Sequence, residues 1–507
     1  MPNIIYAGSN SFSPGGTITI SENTTLSGGG SNVAFAVGAF TGTNGLAPTT
    51  YTSFAEWRQL ANSFKAKTDE ISANAINVDL DCSDAVVVGS SSADNITLRA
   101  TGLTEIYAGD GDDTISVVFI GYYGKSVING GTGDDIINGA AGNDSLRGGT
   151  GRDTLNGGFG NDLLFGGGGA DTMSGGLGDD QYSVETKGDV VIEGIGEGTD
   201  IVSSLIDWQL GDNLEILRLG EVATAITGRG NALNNTISGN SYNNSLLGAG
   251  GDDTLHGDGG ADTLYGQEGA DTLYGDAGAD VLNGGAGNDW LEGGADDDIY
   301  IVRDTGDFVS EQANGGHDLV RTTINLILFS DVEALVLMGG AGTGTGNALD
   351  NDISGNKSNN SLYGVAGQDQ IFGNGGRDTI DGGVGNDILH GGQGIDTLTG
   401  GADADRFVFA DGDTSRNSLY ADAITDFNVA TGDLINLARI DANTALEGDQ
   451  AFTFIGTAAF GGTASQLRFE VMAGNTWVQM DTTGDGVADY QIRLNGAHAL
   501  TAGDFVL

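Results

Sequence analysis

Aspartate recurs every nine residues in three parts of this 507-residue chain, between glycines and an apolar residue. From Gly130 the sequence divides into nonapeptides such as GGTGDDIIN and GGTGRDTLN, with Asp in the sixth place and an apolar residue in the eighth. Carboxylates are hard oxygen ligands of the kind that Ca²⁺ prefers, so the pattern predicts calcium sites. The predicted carboxylate ligands are Asp135, Asp144, Asp153, Asp162, Asp171, Asp180, Asp253, Asp262, Asp271, Asp280, Asp289, Asp298, Asp369, Asp378, Asp387, Asp396 and Asp405.

Glycine occupies the first and fourth places of most nonapeptides. At these places it is expected to allow a tight turn with φ > 0 and to let backbone carbonyls crowd a small ion. The first-place glycines assigned to the predicted metal sites are Gly130, Gly148, Gly157, Gly166, Gly257, Gly266, Gly275, Gly284, Gly373, Gly382 and Gly391.

The nine-residue period also predicts the path of the chain. Places seven to nine form a very short strand whose eighth residue points inward, and two nonapeptides complete one coil of 18 residues. Coils that pair as parallel strands stack about 4.8 Å apart. Asp135 and Asp153 should therefore line one edge of the stack, and Asp144 and Asp162 the other.

These nonapeptides resemble the G-G-x-G-x-D-x-U-x motif of the repeats-in-toxin (RTX), or haemolysin-type, calcium-binding family. The resemblance implies an all-β fold, a parallel β-roll solenoid, with each ion between one turn and the turn two repeats later. Counting such pairs gives four, four and three in the three blocks, hence roughly 11 or more Ca²⁺ ions. The alternative is a disordered Gly/Asp-rich linker, which would not keep an apolar residue every nine positions.

Changes in this pattern divide the chain. The predicted parts are an N-terminal domain of unknown family, mainly-β or α+β (1–85); a first roll block with an irregular start (86–182); a β linking module (183–229); a second block (230–300); a second linking module that repeats the first (301–345); a third block (346–407); and a β-rich C-terminal domain (408–507).

The linking modules are expected to continue the stack without calcium. Where the roll resumes, Asn235, Asn244, Asn351 and Asn360 hold the sixth place. An amide keeps one oxygen but loses the charge that attracts a divalent ion. These coils are therefore predicted to be metal-free caps whose amides stack on one another.

Four other aspartates depart from the pattern. Asp94 and Asp113 stand in what look like isolated repeats out of register, and Asp296 and Asp403 replace the fourth-place glycine in the last repeat of the second and third blocks. The latter two are predicted to form altered terminal sites.

The first 85 residues carry a different pattern. Residues 17–20 and 33–37 alternate or run apolar, as short strands do. Ser53 and Glu56 form a capping-box pattern that predicts a helix with Trp57 and Phe64 on one face. This face is interpreted as core, with a partner-binding face as the alternative.

The last 100 residues resemble the final domain of secreted serralysin-type proteases. The matching stretches are residues 421–427, 451–456, 491–494 and the ending Asp504-Phe505-Val506-Leu507. The resemblance implies an uncleaved signal for a type I secretion transporter and hence a secreted, extracellular or cell-surface protein. The N-terminus shows no pattern of a cleavable signal peptide, which agrees with that route. Residues 481–489 space their acids like a calcium loop, or form a simple acidic turn.

Charge and cysteine content exclude several classes of partner. The net charge is −51, which argues against nucleic acid and against an anionic membrane surface. No apolar run is long enough for a membrane span. The single cysteine, Cys82, allows no intramolecular disulfide and is interpreted as an inert small residue rather than a reactive thiol.

The sequence favours a protein that is not an enzyme. It has no H-E-x-x-H motif and no G-x-S-x-G motif. The expected function is an extracellular structural or adhesive role in a surface layer, matrix or attachment, with polysaccharide or self-assembly as partner. The alternative is a polysaccharide-active enzyme whose small catalytic domain lies in the first 120 residues.

Overall fold

A computed structural model describes residues 3–5, 18–20, 33–35, 77–82, 85–89, 93–100, 103–119, 124–224, 226–415 and 417–507. These residues form β-strands and one short 3₁₀ helix, η1 (Ala502–Asp504). Within the described ranges, no helix has the length and apolar character needed to cross a membrane. The helix predicted after Ser53 lies outside the described residues.

The chain forms two compact units, Met1–Leu255 and His256–Leu507. The strands before Thr254 are β1 (Asn3–Ile5), β2 (Ile18–Ile20), β3 (Val33–Phe35), β4 (Asn77–Cys82), β5 (Ala85–Val88), β6 (Asn95–Ala100), β7 (Leu103–Asp110), β8 (Thr114–Phe119), β9 (Lys125–Thr132), β10 (Ile136–Ala141), β11 (Ser145–Thr150), β12 (Thr154–Phe159), β13 (Leu163–Gly168), β14 (Thr172–Leu177), β15 (Gln181–Val184), β16 (Val190–Ile192), β17 (Ile201–Ser204), β18 (Trp208–Gln209), β19 (Ile216–Leu219), β20 (Thr227–Arg229), β21 (Thr236–Asn240) and β22 (Ser245–Gly250).

The remaining strands lie between Thr254 and Val506. They are β23 (Thr254–Asp258), β24 (Thr263–Glu268), β25 (Thr272–Ala277), β26 (Val281–Ala286), β27 (Trp290–Ala295), β28 (Ile299–Val302), β29 (Phe308–Ser310), β30 (Leu319–Thr322), β31 (Leu326–Ile327), β32 (Ala334–Leu337), β33 (Thr343–Thr345), β34 (Asp352–Ser354), β35 (Ser361–Ala366), β36 (Gln370–Phe372), β37 (Gly375–Gly376), β38 (Thr379–Val384), β39 (Ile388–His390), β40 (Gln393–Gly394), β41 (Thr397–Ala402), β42 (Arg406–Ala410), β43 (Asp422–Ile424), β44 (Leu434–Arg439), β45 (Thr453–Phe454), β46 (Gln466–Met472), β47 (Asn475–Asp481), β48 (Tyr490–Leu494) and β49 (Phe505–Val506).

Successive strands of the roll alternate between two parallel sheets. In the first unit, β8, β10, β12, β14 and β16 are neighbours in one sheet, and β9, β11, β13 and β15 are neighbours in the other. Ile137 pairs with Leu155, and Leu146 pairs with Leu164, so each strand lies beside the strand 18 residues later. The predicted coil of two nonapeptides and the parallel β-roll are confirmed.

The eighth-place residues form the core between the sheets. In a strand, successive side chains point to opposite faces, so one residue per repeat faces inward. The fully buried column in the first block contains Ile137, Leu146, Leu155, Leu164, Met173 and Tyr182. The corresponding residues of the second and third blocks, from Leu255 to Tyr300 and from Ile371 to Phe407, are equally buried.

The linking modules continue the same sheets. Tyr182 pairs with Val202, Val202 with Leu217, and Leu217 with Ile237, and all four are buried. The second module repeats this column from Tyr300 through strands β30, β32 and β34. The prediction that these modules continue the stack is confirmed.

The C-terminal part extends both sheets of the second unit. Strand β44 follows β42, and β49 follows β44, in parallel pairing. Strand β43 follows β41 and joins β48, from which β47 and β46 continue in antiparallel order. The strands predicted near residues 17–20 and 33–37 correspond to β2 and β3. Cys82 ends β4.

Candidate metal centres

The sixth-place aspartates form ladders along the edges of the roll. The backbone N–H of Asp135 donates to Asp153 Oδ1 over 2.8 Å, and the N–H of Asp153 donates to Asp171 Oδ1 over 2.8 Å. On the other edge, the N–H of Asp144 donates to Asp162 Oδ1 over 2.7 Å. Each carboxylate is thereby anchored through one oxygen to the preceding coil, and the predicted edges are confirmed.

The second and third blocks repeat this arrangement. The N–H of Asp262 donates to Asp280 Oδ1 over 2.6 Å, and the N–H of Asp271 donates to Asp289 Oδ1 over 2.9 Å. The remaining predicted ligands occupy the same places: Asp253, Asp298, Asp369, Asp378, Asp387, Asp396 and Asp405 are all at most 2% exposed.

The second oxygen of these carboxylates is buried and mostly has no hydrogen-bond partner. Leaving a buried polar atom unpaired costs about 1–3 kcal/mol, and more for a charge, so rows of such atoms call for a ligand. The Oδ2 atoms concerned belong to Asp113, Asp135, Asp144, Asp153, Asp162, Asp171, Asp180, Asp200, Asp280, Asp289, Asp298, Asp318, Asp369, Asp378, Asp387, Asp396, Asp405 and Asp422.

Burial also disfavours the charged form of these acids in the metal-free protein. It raises the pKa of Asp135 to about 7 and that of Asp144 to about 8, and the neighbouring aspartate one coil later adds to both increases. A divalent cation between the coils would offset this cost because it attracts the carboxylates directly.

The first-place glycines leave space that a side chain would fill. A Cβ on Gly130 would collide with Asp135 Oδ2 and would lie 2.7 Å from the carbonyl oxygen of Gly148. A carboxylate oxygen and a carbonyl oxygen therefore converge on one point in the turn. The same collision with the aspartate five residues later recurs at every first-place glycine assigned to a site. Convergent hard oxygens suit Ca²⁺.

The positive φ predicted for the first-place glycine is wrong, whereas the positive φ predicted for the fourth place is confirmed. None of the assigned first-place glycines has a positive φ. The left-handed conformation occurs instead at the second and fourth places, as at Gly131 (φ +119°) and Gly133 (φ +121°). Asp296 and Asp403 adopt φ of +77° and +79° at the fourth place, a region that Asp tolerates better than most residues. These terminal turns therefore keep the geometry of the others.

The ladders extend beyond the nonapeptide blocks, which the sequence analysis did not predict. The N–H of Asp94 donates to Asp113 Oδ1, and that of Asp113 to Asp135 Oδ1, so these aspartates are members of the edge and not isolated repeats. Later members are Asp189, Asp200, Asp307, Asp318, Asp422 and Asp433. Asp189 and Asp307 keep the 18-residue spacing, whereas insertions stretch the spacing of the other four to between 20 and 28 residues and so hide the period.

The asparagines of the cap coils use their side chains on the protein itself. Asn235 Oδ1 accepts from the N–H of Asn231 over 2.8 Å, and its Nδ2 donates to the carbonyl of Leu214 over 3.0 Å. Asn351 is bonded in the same way to the N–H of Asn347 and the carbonyl of Glu333. Asn351 Nδ2 also donates to the side-chain Oδ1 of Asn347 over 3.1 Å. The predicted stacking of cap amides on one another is therefore wrong for Asn235 and Asn351, whose partners lie in the adjacent turn and linking module.

The acidic loop at residues 481–489 closes on its own backbone. Asp481 accepts from the N–H groups of Gly484 (2.6 Å) and Gly486 (3.0 Å), one to each carboxylate oxygen. Asp489 Oδ2 accepts from the N–H groups of Thr482 and Thr483. These bonds fix the backbone of the loop around the two carboxylates.

Comparison with known proteins identifies the repeats. A family model described as the RTX calcium-binding nonapeptide repeat (4 copies) matches residues 105–117, 120–155, 147–182, 229–264, 265–300, 345–380 and 381–415. Comparison with curated proteins gives no match.

Solved structures with similarity include two modules of the mannuronan C5-epimerase of Azotobacter vinelandii. The AlgE6R3 subunit is 23% identical, with 31% of this chain and 78% of that chain covered and a TM-score of 0.16. The AlgE6R2 subunit is 26% identical, with 33% and 91% covered and a TM-score of 0.18.

The matched residues cover the second and third predicted blocks and most of the first, and the ladders of buried carboxylates lie along the turns of those blocks. RTX nonapeptide repeats bind calcium, and the oxygen atoms that converge here fit that ion. The chain therefore carries RTX calcium-binding nonapeptide repeats, which form a parallel β-roll.

Proposed function

We propose that this protein is a secreted calcium-binding β-roll protein that folds on Ca²⁺ outside the cell and has a structural or adhesive role there. The observation that carries the proposal is the row of buried Oδ2 atoms without partners along both edges of the roll. The proposed ligands are the 17 sixth-place aspartates together with carbonyls of the glycine-rich turns, with roughly 11 or more ions bound.

Calcium is proposed to supply much of the folding energy. Without it, carboxylates stacked about 4.8 Å apart repel one another, and glycine-rich turns bury little apolar surface. Metal binding energy then becomes folding energy. Extracellular calcium sites have Kd values of about 10⁻⁴–10⁻³ M, so such a chain would stay unfolded at cytosolic calcium levels and fold after export.

Circular dichroism tests this proposal on the full chain. Adding Ca²⁺ to the chelated protein should produce a large gain of β-structure, with Mg²⁺ as a control because it demands stricter octahedral geometry. Equal β-content in chelator and in calcium would refute the proposal.

Export is proposed to use the C-terminal domain, because of its resemblance to the serralysin-type ending. Removal of residues 408–507 should retain the chain in cells that have a type I transporter, whereas removal of residues 1–85 should not. Undiminished secretion of the chain that lacks 408–507 would contradict this route.

Exposed aromatic rings support an adhesive role. Trp290 and Phe308, on the adjacent strands β27 and β29, are 41% and 45% exposed, and their ring centroids lie 4.7 Å apart. Exposed apolar groups of this kind mark interaction surfaces, and flat rings suit the apolar faces of sugars. Polysaccharide is therefore the proposed partner.

A polysaccharide-binding assay with the calcium-loaded chain tests the adhesive role. Trp290→Ala should weaken retention several-fold, whereas Phe159→Ala, which removes another exposed ring, should not. Equal retention of both variants would contradict a role for Trp290. Release of new sugar ends by the wild-type chain would favour the polysaccharide-active enzyme instead.

A further inference from the structure

Each of the first two blocks ends on a turn in which glutamate takes the place of the first glycine. Strand β16 pairs with β14 so that Ile192 lies beside Ser174, which puts Glu193 in register with Gly175. In the turns that have glycine at the first place of the nonapeptide, a side chain at that place would collide with the carboxylate five residues later. A longer turn is therefore needed to accommodate Glu193.

The longer turn is present. Asp180 follows Gly175 by five residues, whereas Asp200 follows Glu193 by seven. Asp200 nevertheless keeps its place in the ladder, because its Oδ1 accepts from the N–H of Asp180 over 2.8 Å. The two inserted residues thus leave the edge intact and make room for a third carboxylate beside Asp180 and Asp200.

The three acids converge. One carboxylate oxygen each from Asp180, Glu193 and Asp200 lies within 4.8 Å of the other two. The side chains are buried, with Asp180 at 0%, Glu193 at 7% and Asp200 at 1% exposure. Asp180 Oδ2, Glu193 Oε2 and Asp200 Oδ2 have no hydrogen-bond partner.

Tyr182 holds the glutamate in position. Its hydroxyl accepts from the N–H of Gly175 over 2.5 Å and donates to Glu193 Oε1. This leaves Glu193 Oε2 for another ligand. The arrangement resembles an ordinary metal site in which an anchoring group orients a carboxylate towards an ion.

The end of the second block repeats the arrangement. Asp298, Glu311 and Asp318 converge within the same limit, and the Tyr300 hydroxyl binds Gly293 N–H over 2.7 Å and Glu311 Oε1. The Oδ2 atoms of Asp298 and Asp318 are buried and without a partner. Two separate turns therefore place the same five groups together.

We propose that Asp180, Glu193 and Asp200, and equally Asp298, Glu311 and Asp318, each bind one Ca²⁺ at the end of a block. This inference rests on the proposed function, because it assumes that calcium binds along the ladders of aspartates to which Asp180 and Asp298 belong. The glutamate supplies a carboxylate oxygen in a turn that departs from the glycine-rich repeat. The first coil of each linking module would then bind calcium, contrary to the expectation that these modules are metal-free.

A proton is the competing occupant. Burial, followed by the charges of Asp200 and Asp180, raises the pKa of Glu193 to about 8, and burial raises that of Glu311 to about 8. Without an ion, a proton on the glutamate would remove one negative charge and so reduce the repulsion among the three acids. An experiment must therefore count ions and not only measure stability.

Native mass spectrometry of the full chain in calcium provides that count. Glu193→Gln and Glu311→Gln should each bind one ion fewer than the wild type, and the double variant two fewer. Glu268→Gln, which makes the same charge change at an exposed residue of the second block, should bind as many as the wild type. An unchanged count in the double variant would overturn the proposal in favour of the proton.

A second experiment uses only the wild-type chain, so its result does not depend on whether the variants fold. Crystals of the wild-type chain grown in calcium should show anomalous density between Asp180, Glu193 and Asp200. Density along the blocks but none at this point would overturn the inference and leave the proposed function intact. Absence of density along the blocks themselves would instead refute the proposed function.

Discussion

Replacing Gly166 by alanine should remove calcium from one turn of the first block, whereas the same change at Gly168 should not. A Cβ on Gly166 would lie 2.5 Å from Asp171 Oδ2 and 2.9 Å from Asp171 Cβ, so the carboxylate must move. A Cβ on Gly168 would meet its nearest neighbour at 3.9 Å, an ordinary contact, and Gly168 has no positive φ. The two glycines belong to the same turn, so the pair is closely matched.

The expected loss follows from mass action. For a site with a Kd of about 10⁻⁴–10⁻³ M, about 10 mM Ca²⁺ stabilises the folded state by about 1.4–2.7 kcal/mol. Gly166→Ala should lose at least this amount, and about twice as much if displacement of Asp171 empties the sites on both sides of it. Gly168→Ala should gain about 0.4–1 kcal/mol, because alanine reduces the entropy of the unfolded chain.

Denaturant unfolding at fixed calcium measures both values, and native mass spectrometry counts the ions. Gly166→Ala should unfold at lower denaturant and bind at least one ion fewer than Gly168→Ala. If the two variants share the same midpoint and the same ion count, the first-place glycine does not protect a calcium site and the reasoning fails.

Further predictions concern the metal-free state, the caps and the acidic loop. In chelator, lowering the pH from about 8 towards 5 should increase β-structure by circular dichroism, because the raised pKa values of Asp135, Asp144 and similar residues favour protonated carboxyls in the folded form. That stabilisation is complete below the unfolded pKa near 4 and is lost as the pH rises through the folded pKa values of about 7 and 8. A loss of structure on acidification from pH 8 towards 5 would contradict this prediction. A crystal structure in calcium should show ions beside Asp378 and none on the side chain of Asn351, and full-occupancy calcium on Asn351 would contradict the cap interpretation. Asp481→Asn should leave the ion count unchanged, since the loop satisfies that carboxylate itself, and loss of an ion would show a calcium loop instead.

Periodicity made the roll predictable from the sequence. An apolar residue every nine positions places Leu155 beside Ile137 and Leu164 beside Leu146 without any knowledge of distant contacts. The sixth-place aspartates follow from the same period. A solenoid repeats one local unit, so a pattern along the chain becomes a pattern along the stack.

Features that break the period were not predicted. Asp396 and Asp422 are adjacent in the ladder but 26 residues apart in the chain, because the C-terminal part inserts a loop between them. In the sequence, nothing distinguishes Glu193 from other residues of the linking module. Its position opposite Gly175 follows only from the pairing of β16 with β14. Such assignments need the register of the sheet, which insertions conceal in the sequence.

The direction of the ladder bonds makes the two ends of the roll chemically different. Each coil donates an N–H to the carboxylate of the coil that follows it, as Asp153 does to Asp171. A stack cut on its C-terminal side is left with N–H donors that have lost their acceptors in a buried turn. A stack cut on its N-terminal side is left with carboxylates, which water solvates readily. At the end of the first block Glu215 closes the donor side by accepting from the N–H of Asp200 over 2.9 Å, and Glu333 does the same for Asp318. The two ends of the roll therefore expose different groups and are expected to fray differently. Removing coils from the C-terminal side should cost more stability per coil than removing them from the N-terminal side.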